Sequence, residues 1–333
     1  MIVFGFRARL RTRATTTSYD NCAPCTWGLF DRLGVRMSTV FVYTDGYHAD
    51  IGVHVFPVEK YRLVYQQLRG RGIIGEHLIE PEPASQEDLL LAHDQEYVED
   101  LIHTRSTQRI VSSELPISRA IIQASLLATG GTIRACEEAL QKGCAVNLTG
   151  GFHHAFPDHA EGFCYVNDMA VAVRKVQKHR KGIKIAVIDC DLHQGNGTAF
   201  IFKDDESVYT FSIHQRDLYP PKQDSSWDIH LKNGVKDEEY ISHLERAVPA
   251  IMEKFKPDFV LYQAGADPYE GDQLGELQLT IEGLRRRDDL VFGECKKHGV
   301  PVAALLGGGY AMDTNDTTTI HVNTCLAAVE CFG

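Results

Sequence analysis

The stretch Lys184–Thr198 reads KIAVIDCDLHQGNGT, and it decides what kind of sheet this chain can form. Ile185–Ile188 is apolar and mostly β-branched, which is typical of a strand buried on both faces of a parallel sheet. Polar residues follow at the predicted carboxyl end of this strand, at Asp189, Asp191 and His193. Because side chains alternate between the faces of an extended chain, these three should point the same way. The pattern indicates half of a metal site, although an ordinary strand end with capping aspartates has the same local sequence.

The composition is that of a globular chain with a sizeable core. Its 333 residues are 44% hydrophobic, which suffices for one large α/β domain or two ordinary ones. No segment is apolar for long enough to cross a membrane. The formal net charge of −11 argues against direct nucleic-acid binding but permits a basic peptide as substrate. Nine cysteines without a secreted-domain spacing favour reduced thiols and a cytoplasmic location.

Residues 1–36 differ in composition from the rest of the chain. They are rich in arginine and threonine, lack lysine, and contain Asp20 and Asp31 as their acids. This composition is typical of an organellar transit peptide or a disordered leader, and a translation start at Met37 is a third explanation. We expect a leader over residues 1–37, dispensable for function, and one folded domain over 38–333. The oligomeric state stays open.

Strand-like and helix-like segments alternate after this leader. The predicted strands are Val40–Tyr43, Ala145–Leu148, Ile185–Ile188, Val208–Phe211, Phe259–Tyr262 and Val302–Leu306. The predicted helices are Val58–Leu68, Ile117–Leu140, Phe163–Gln177, Glu238–Phe255, one capped by Thr280 that runs to His298, and one after Thr318. Ser85 and Asp88 resemble a capping box, and segment 215–236 is long and unpatterned, which indicates a functional loop. The alternation predicts a single-domain, three-layer α/β/α fold with a mainly parallel sheet.

Four of the predicted strands end in polar or glycine-rich loops. These loops contain His153-His154, Asp189–Asn196, Asp267 and Gly307–Tyr310. In parallel sheets, ligands gather beyond the carboxyl ends of the strands. We therefore expect one site that these loops share.

The residue types in these loops suit hydrolysis. Asp191, His193 and Asp267 would complete a three-ligand metal site with open positions, which suits zinc but also Fe(II) or Mn(II). Adjacent histidines such as His154 and its neighbour offer a general base and acid for a hydrolytic water. Tyr310, on a triple-glycine loop, can donate a hydrogen bond to a developing oxyanion. Together they predict a hydrolase of an amide or ester.

From about Tyr43 onward the chain resembles the arginase-like histone deacetylase superfamily. The likeness rests on GGFHH at 150–154, GFCYVND at 162–168, DCDLH at 189–193, GNG at 195–197, GAD at 265–267, GD at 271–272 and GGGY at 307–310. The segments QGNG at 194–197, EGDQLG at 270–275 and RDDLVF at 287–292 are most similar to class IV deacetylases and their bacterial relatives. The resemblance implies zinc-dependent removal of acetyl or longer acyl groups from lysine side chains.

The resemblance also implies roles for the residues of these motifs. It implies zinc ligation by Asp191, His193 and Asp267, general base and acid catalysis by His154, and polarisation of the acyl carbonyl by Tyr310. His153 would be an electrostatic partner hydrogen-bonded to Asp189. The expected partner of His154 is Asn196, where class I enzymes have aspartate. A neutral partner orients the ring without stabilising its charged form, which favours a base.

Further implied roles concern substrate and a second ion. The implied substrate contacts are Gly162, Phe163, Tyr219 and Gly308, with Phe163 on one wall of an acyl tunnel and Tyr219 on the opposite wall. The backbone at Ser212 and Ile213, together with Asp189, Asp191 and His193, fits the structural potassium site of the family.

Other functions on this fold remain to be weighed. An arginase-type binuclear manganese hydrolase would need more carboxylates, but Gly195 and Tyr269 occupy those positions. A non-enzymatic binding module would be expected to have lost a ligand or Tyr310, and neither is missing. An acetylpolyamine amidohydrolase or acetoin-utilisation-type deacetylase shares every catalytic residue. The substrate is therefore either an acylated lysine peptide or protein, or a small molecule such as an acetylated polyamine.

Overall fold

The computed structural model describes residues 38–75 and 77–333, so the predicted leader lies outside the described residues. One sheet of eight strands has the order β2-β1-β3-β8-β7-β4-β5-β6. The strands are β1 (Ser38–Val42), β2 (Leu78–Ile79), β3 (Gly143–Asn147), β4 (Ile185–Asp189), β5 (Val208–Gln215), β6 (Trp227–Leu231), β7 (Phe259–Gln263) and β8 (Val302–Leu305). All neighbouring strands pair in parallel, which confirms the predicted sheet.

Helices cover both faces of this sheet. They are α1 (Lys60–Gly70), α2 (Gln86–Leu89), α3 (Gln95–Ile102), α4 (Gln108–Val111), α5 (Arg119–Lys142), α6 (Asp168–His179), α7 (Asn196–Phe202), α8 (Asp237–Lys254), α9 (Ile281–His298) and α10 (Thr314–Phe332). The predicted helix cap at Thr280 and the capping box of Ser85 and Asp88 are both confirmed. No described helix combines the length and apolar character that crossing a membrane requires.

Strand β4 shows how the sequence forms two cores. Ile185 and Val187 are buried in the core that α5 and α6 share with the sheet. Ala186 and Ile188 are buried in the opposite core, which contains apolar residues of α8, α9 and α10. Because consecutive side chains of a strand face opposite ways, a strand between two helical layers must be apolar throughout. The three-layer α/β/α fold is thereby confirmed.

The predicted helix Phe163–Gln177 is wrong at its start. The helix begins at Asp168, and the side chain of Asn167 caps it by accepting a hydrogen bond from the backbone N–H of Ala170. Phe163 has a φ of 64° and lies in a tight turn before the helix. Apolar residues in that turn continue the helical spacing of the sequence, which is why periodicity alone placed the boundary too early.

The segment 215–236 was predicted to be unpatterned, but it contains the edge strand β6. This strand pairs with β5, and within it only Leu231 is fully buried. An edge strand with so little burial lacks the alternation of polar and apolar residues that marks a strand in a sequence. The C-terminal helix also differs from prediction, since it begins at Thr314 rather than after Thr318.

Candidate active site

The candidate site lies where four neighbouring strands end. Strands β3, β8, β7 and β4 are consecutive in the sheet, and each is followed by one of the predicted polar loops. The loops form a pocket with about 300 Å³ of space between its atoms, partly open to solvent, whose lining includes His154, Asp191, His193, Phe163 and Tyr310. Parallel strands place their carboxyl ends at one edge, so residues far apart in sequence meet here.

The three predicted metal ligands lie together and are buried. Asp191, His193 and Asp267 each offer one donor atom, and these atoms lie within 4.8 Å of one another. His193 Nδ1 is 3.2 Å from Asp267 Oδ2 and 3.4 Å from Asp191 Oδ1. In the described part of the chain no other group of histidine, cysteine or acidic donors is placed this way. Gly195 and Tyr269 cannot supply the carboxylates of a second metal.

Two glycines make room for this donor set. A side chain at Gly265 would overlap Asp191 Oδ2, and one at Gly308 would overlap Asp267 Oδ2. The backbone N–H of Gly308 also donates to Asp191 Oδ2 at 3.1 Å. Gly308, which was predicted to contact substrate, therefore lies directly against the donors and helps to orient them.

The charges of the donors fit a cation. Burial, reinforced by the charge of Asp191, raises the pKa of Asp267 to about 7. Two buried carboxylates this close repel each other, and a divalent cation between them would remove that repulsion. Two carboxylate oxygens and one imidazole nitrogen are also a donor set that zinc accepts, with open positions left for water and substrate. The residues present thus fit a single catalytic metal.

His153 and His154 lie beside these donors, and the Nδ1 atom of each ring has a hydrogen-bond partner. His153 Nδ1 lies 2.7 Å from Asp189 Oδ2, and His154 Nδ1 lies 2.7 Å from Asn196 Oδ1. The two Nε2 atoms are 3.1 Å apart, which is within hydrogen-bond distance. Each ring is therefore held at one nitrogen by a side-chain oxygen, and these are the partners that the resemblance implies.

The surroundings give the two histidines different charges. Burial alone would lower the pKa of His153, but the carboxylates of Asp189 and Asp191 outweigh burial and raise its pKa to about 9. For His154, burial and then the charges of His153 and His193 lower the pKa well below its ordinary value. His154 is thus neutral near pH 7, which is the protonation state that a general base requires.

Tyr310 faces the pocket with a free hydroxyl. Its ring centroid lies 5.9 Å from that of Phe56 and 6.0 Å from that of Phe163. Its backbone N–H donates to Asp272 Oδ2 at 2.7 Å, which anchors the loop. Within the described residues the hydroxyl has no hydrogen-bond partner. Burial raises its pKa well above the ordinary value, so the hydroxyl stays protonated and can donate.

Of the other predicted substrate contacts, Gly162 lines the pocket, whereas Tyr219 lies next to it and is not among the lining residues. The Tyr219 ring centroid is 5.3 Å from that of His154 and 6.1 Å from that of His193. Gly162 has a φ of 49°, and a Cβ there would lie 2.6 Å from both the His154 ring and the Tyr219 hydroxyl. The Tyr219 hydroxyl donates to Glu161 Oε1 at 2.9 Å.

Lys60 lies next to the candidate site, and no sequence motif indicated it. It is completely buried behind the triple-glycine loop, where Nζ donates to the Gly307 carbonyl at 2.8 Å and lies 3.4 Å from the Gly309 carbonyl oxygen. Nζ also lies 5.4 Å from the Tyr310 ring centroid. Burial lowers the pKa of Lys60 to about 8, against the opposing charge of Asp267. Lys60 is the first residue of α1, a helix that also contains arginine and glutamine, so its sequence gives no signal that this lysine is buried.

Asp168 was missed for a related reason. Its carboxylate accepts hydrogen bonds from the backbone N–H groups of Gly151 and Phe152, at 3.1 and 2.7 Å. It thereby holds the loop that carries His153 and His154. The prediction placed Asp168 inside a helix, whereas it is the first residue of α6 and faces this loop.

Known proteins resemble this chain over most of its length. A family model described as the histone deacetylase domain matches residues 54–326, which is most of the chain. The chain belongs to the histone deacetylase family. The resemblance predicted from the sequence motifs is confirmed, and a deacetylase-type hydrolase follows from it.

Two individual proteins and one solved structure match this chain over most of their own length. An uncharacterized protein of Picosynechococcus sp. is 41% identical over 80% of this chain and 90% of its own. Histone deacetylase 2 of Arabidopsis thaliana is 30% identical over 78% of this chain and 70% of its own. The crystal structure of a histone deacetylase homologue from Aquifex aeolicus matches with a TM-score of 0.75 and 27% identity, over 87% of this chain and 84% of that one.

Proposed function

We propose that this protein hydrolyses the amide bond of acylated lysine side chains, with one zinc ion held by Asp191, His193 and Asp267. The observation that carries the proposal is that Asp191 and His193, a neutral His154 and the free hydroxyl of Tyr310 line one pocket, with Asp267 buried beside the other two donors. Iron(II) suits the same donors and is the alternative metal. The name of the plant relative, a histone deacetylase, supports acyl-lysine as the substrate class.

The side chains around the donors have complementary roles in this proposal. A cation held by these donors would act as a Lewis acid, which would polarise the acyl carbonyl and make water more acidic. His154 Nε2 accepts the proton of the attacking water, and the Tyr310 hydroxyl donates to the carbonyl oxygen as it gains negative charge. His154 then returns the proton to the lysine nitrogen as the C–N bond breaks. Phe163 provides an aromatic wall for the substrate.

A structural potassium ion next to this centre is part of the proposal. Ser212 lies beside Asp189 in the parallel register of β5 and β4, and Ile213 follows it. Backbone carbonyl groups there, with oxygens of Asp189 and Asp191, are ligands that a hard monovalent cation accepts. Such an ion would stabilise the chain segment that carries the donors.

Acyl groups longer than acetyl are also consistent with the site. An apolar cavity with about 520 Å³ of space between its atoms, partly open to solvent, adjoins the catalytic pocket. The two share Phe56, Phe152 and Phe163 as lining residues. Apolar surface next to the reacting carbonyl would favour additional methylene groups of the acyl chain.

The alternative function is hydrolysis of acetylated polyamines or other small acetylated molecules. The net charge of −11 favours a cationic substrate of either class. Turnover should be compared on peptides with acetyl-, butyryl- and longer acyl-lysine and on N-acetylated polyamines. The proposal predicts the higher kcat/KM on the peptides. A clear preference for polyamines would contradict it and establish the alternative.

The donor set makes a separate prediction about metal content. Purified protein should contain about one equivalent of zinc or iron, and Asp267→Asn should lose it, because an amide oxygen is a much poorer ligand than a carboxylate. Elemental analysis measures the metal, and circular dichroism checks that the variant folds. The exposed Asp224 provides the control Asp224→Asn, which should keep the metal. Two manganese ions per chain, or full metal content in Asp267→Asn, would contradict the assignment.

A further inference from the structure

Glu161 has two hydrogen-bond donors on one carboxylate oxygen. Its Oε1 accepts from Asn196 Nδ2 at 3.0 Å and from the Tyr219 hydroxyl at 2.9 Å. Asn196 in turn places Oδ1 2.7 Å from His154 Nδ1. Glu161 is thus linked to the His154 ring through the side-chain amide of Asn196. No sequence motif includes Glu161, and the resemblance implies no role for it.

The turn that carries Glu161 is fixed from several directions. Backbone hydrogen bonds join Glu161 and Cys164 in both directions, at 3.2 and 2.8 Å. The Phe163 N–H donates to the Ser113 carbonyl at 2.9 Å. The next residue, Gly162, lies so close to the His154 ring that it has no room for a side chain. A carboxylate attached to so constrained a turn can hold its partners in one orientation.

The chemistry of a carboxylate determines which way the Asn196 amide faces. An ionised carboxylate only accepts hydrogen bonds, whereas an amide donates from nitrogen and accepts at oxygen. Asn196 must therefore turn Nδ2 toward Glu161, which leaves Oδ1 facing His154. An oxygen there accepts only if His154 carries its hydrogen on Nδ1. The neutral ring then has its electron pair on Nε2, which lies 3.1 Å from His153 Nε2 and can accept a hydrogen bond from the protonated His153 ring, so both neighbours of His154 favour the same tautomer.

We propose that Glu161 is a positioning residue that sets the orientation of the Asn196 amide and, through it, the Nδ1–H tautomer of His154. This inference rests on the proposed function only in taking His154 as the general base. The hydrogen bond to Glu161 also explains why residue 196 has an amide side chain. An aspartate at this position would place a second carboxylate about 3.0 Å from Glu161 Oε1, with no hydrogen between the two groups. Glu161 also holds Tyr219 against the His154 ring by its second hydrogen bond.

The link predicts a non-additive pair of substitutions. Asn196→Asp alone puts two carboxylates against each other, and it should lower kcat about ten- to hundredfold, the range expected for residues in direct contact. In a Glu161→Gln background, the glutamine amide can donate to the new carboxylate at position 196. Asn196→Asp should then lower kcat only a few-fold. Glu161→Ala, which removes the acceptor, should lower kcat with little change in KM. Glu161→Gln alone keeps an acceptor and should lose at most a few-fold.

Glu114 offers a matched control for charge. It is exposed, and its charge acts on Tyr219, but it makes no hydrogen bond to Asn196. Glu114→Gln should therefore leave kcat and the effect of Asn196→Asp unchanged.

If Glu161 instead bound a cationic substrate directly, Glu161→Gln would raise KM for charged substrates at constant kcat. That result would overturn the proposal.

Nitrogen NMR of labelled histidine side chains tests the link without turnover. The chemical shifts of the two ring nitrogens distinguish the tautomers, and a His154 substitution identifies the signals. We expect the Nδ1–H form in the wild type and a mixture in Glu161→Ala. An unchanged tautomer in Glu161→Ala, or an equal cost of Asn196→Asp in both backgrounds, would overturn the proposal. If the wild type had no deacylase activity, the proposed function would fail while the NMR result still decided the role of Glu161.

Discussion

Replacing Tyr310 by phenylalanine should lower kcat about 10²–10³-fold, with metal content and substrate affinity much less affected. The reason is that the hydroxyl has no partner among the described residues and faces the pocket, so its donor capacity is available to substrate. An oxyanion that develops on the acyl carbonyl needs this donor more than the ground-state carbonyl does. The loss should therefore fall on kcat rather than on KM.

The surroundings of Tyr310 indicate that Tyr310→Phe removes the hydroxyl and leaves the other contacts of the residue in place. Its ring packs near Phe56 and Phe163, and these contacts persist in phenylalanine. Its loop is anchored by backbone bonds to Asp272 and to Lys60 Nζ, which the substitution does not touch. Folding and metal binding should consequently survive.

The measurement is kcat, KM and metal content of Tyr310→Phe beside the wild type. Tyr209→Phe is the matched control, since Tyr209 lies on β5 and its ring packs against Phe255 on α8's C-terminal side, away from the pocket. The control should keep full turnover. Full turnover in Tyr310→Phe would mean that Tyr310 only packs against the sheet edge, and the role assigned to its hydroxyl would be withdrawn.

Replacing His154 by alanine should cost far more than about a hundredfold in kcat, because the same ring is assigned both proton transfers. The low pKa of His154 keeps its ring neutral, and the hydrogen bond from Nδ1 to Asn196 fixes the orientation of the ring. A replacement base would need both properties. His153 is the nearest other imidazole, but its raised pKa makes it a cation near pH 7 and a poor base.

His153→Ala provides the internal comparison. Its ring contributes charge and hydrogen bonding rather than the transferred proton, so its loss should cost less than that of His154. Single-turnover kinetics of both variants, with metal content measured in parallel, separates chemistry from metal loss. Equal activity of His154→Ala and the wild type would end the assignment of the base.

The donors could be predicted from the sequence because they depend on one general property of parallel sheets. Strands of this type end at a common edge, so an acidic or histidine-containing loop after each strand identifies the site without knowledge of strand order. Asp191 and Asp267 come from β4 and β7, which prove to be direct neighbours. Their proximity in space thus followed from sequence pattern alone.

Lys60 and Glu161 could not be predicted in this way. Lys60 contacts a carbonyl group 247 residues away, and Glu161 contacts side chains 35 and 58 residues away. Such contacts depend on the packing of particular loops, and neither residue lies in a periodic segment that identifies its partner. The contacts of Lys60 and Glu161 can therefore be identified only from the folded structure.

Very short elements have little hydrophobic pattern of their own, and of β2, α2 and α4 only α2 was indicated, by its capping box at Ser85 and Asp88. Strand β2 has two residues, and helices α2 and α4 have four each. A segment of this length does not complete enough turns or alternations for a hydrophobic period to be recognised. The edge strand β6 was missed for the related reason that little of it is buried.

The most direct test of a single-metal deacylase is a metal titration of activity. Protein stripped with a chelator should release no acetate from an acetyl-lysine peptide, and activity should return with added zinc or iron(II). The account predicts that acetate release rises in proportion to added metal and reaches its plateau at about one equivalent per chain. A plateau at about two equivalents, or full activity in the stripped protein, would contradict it.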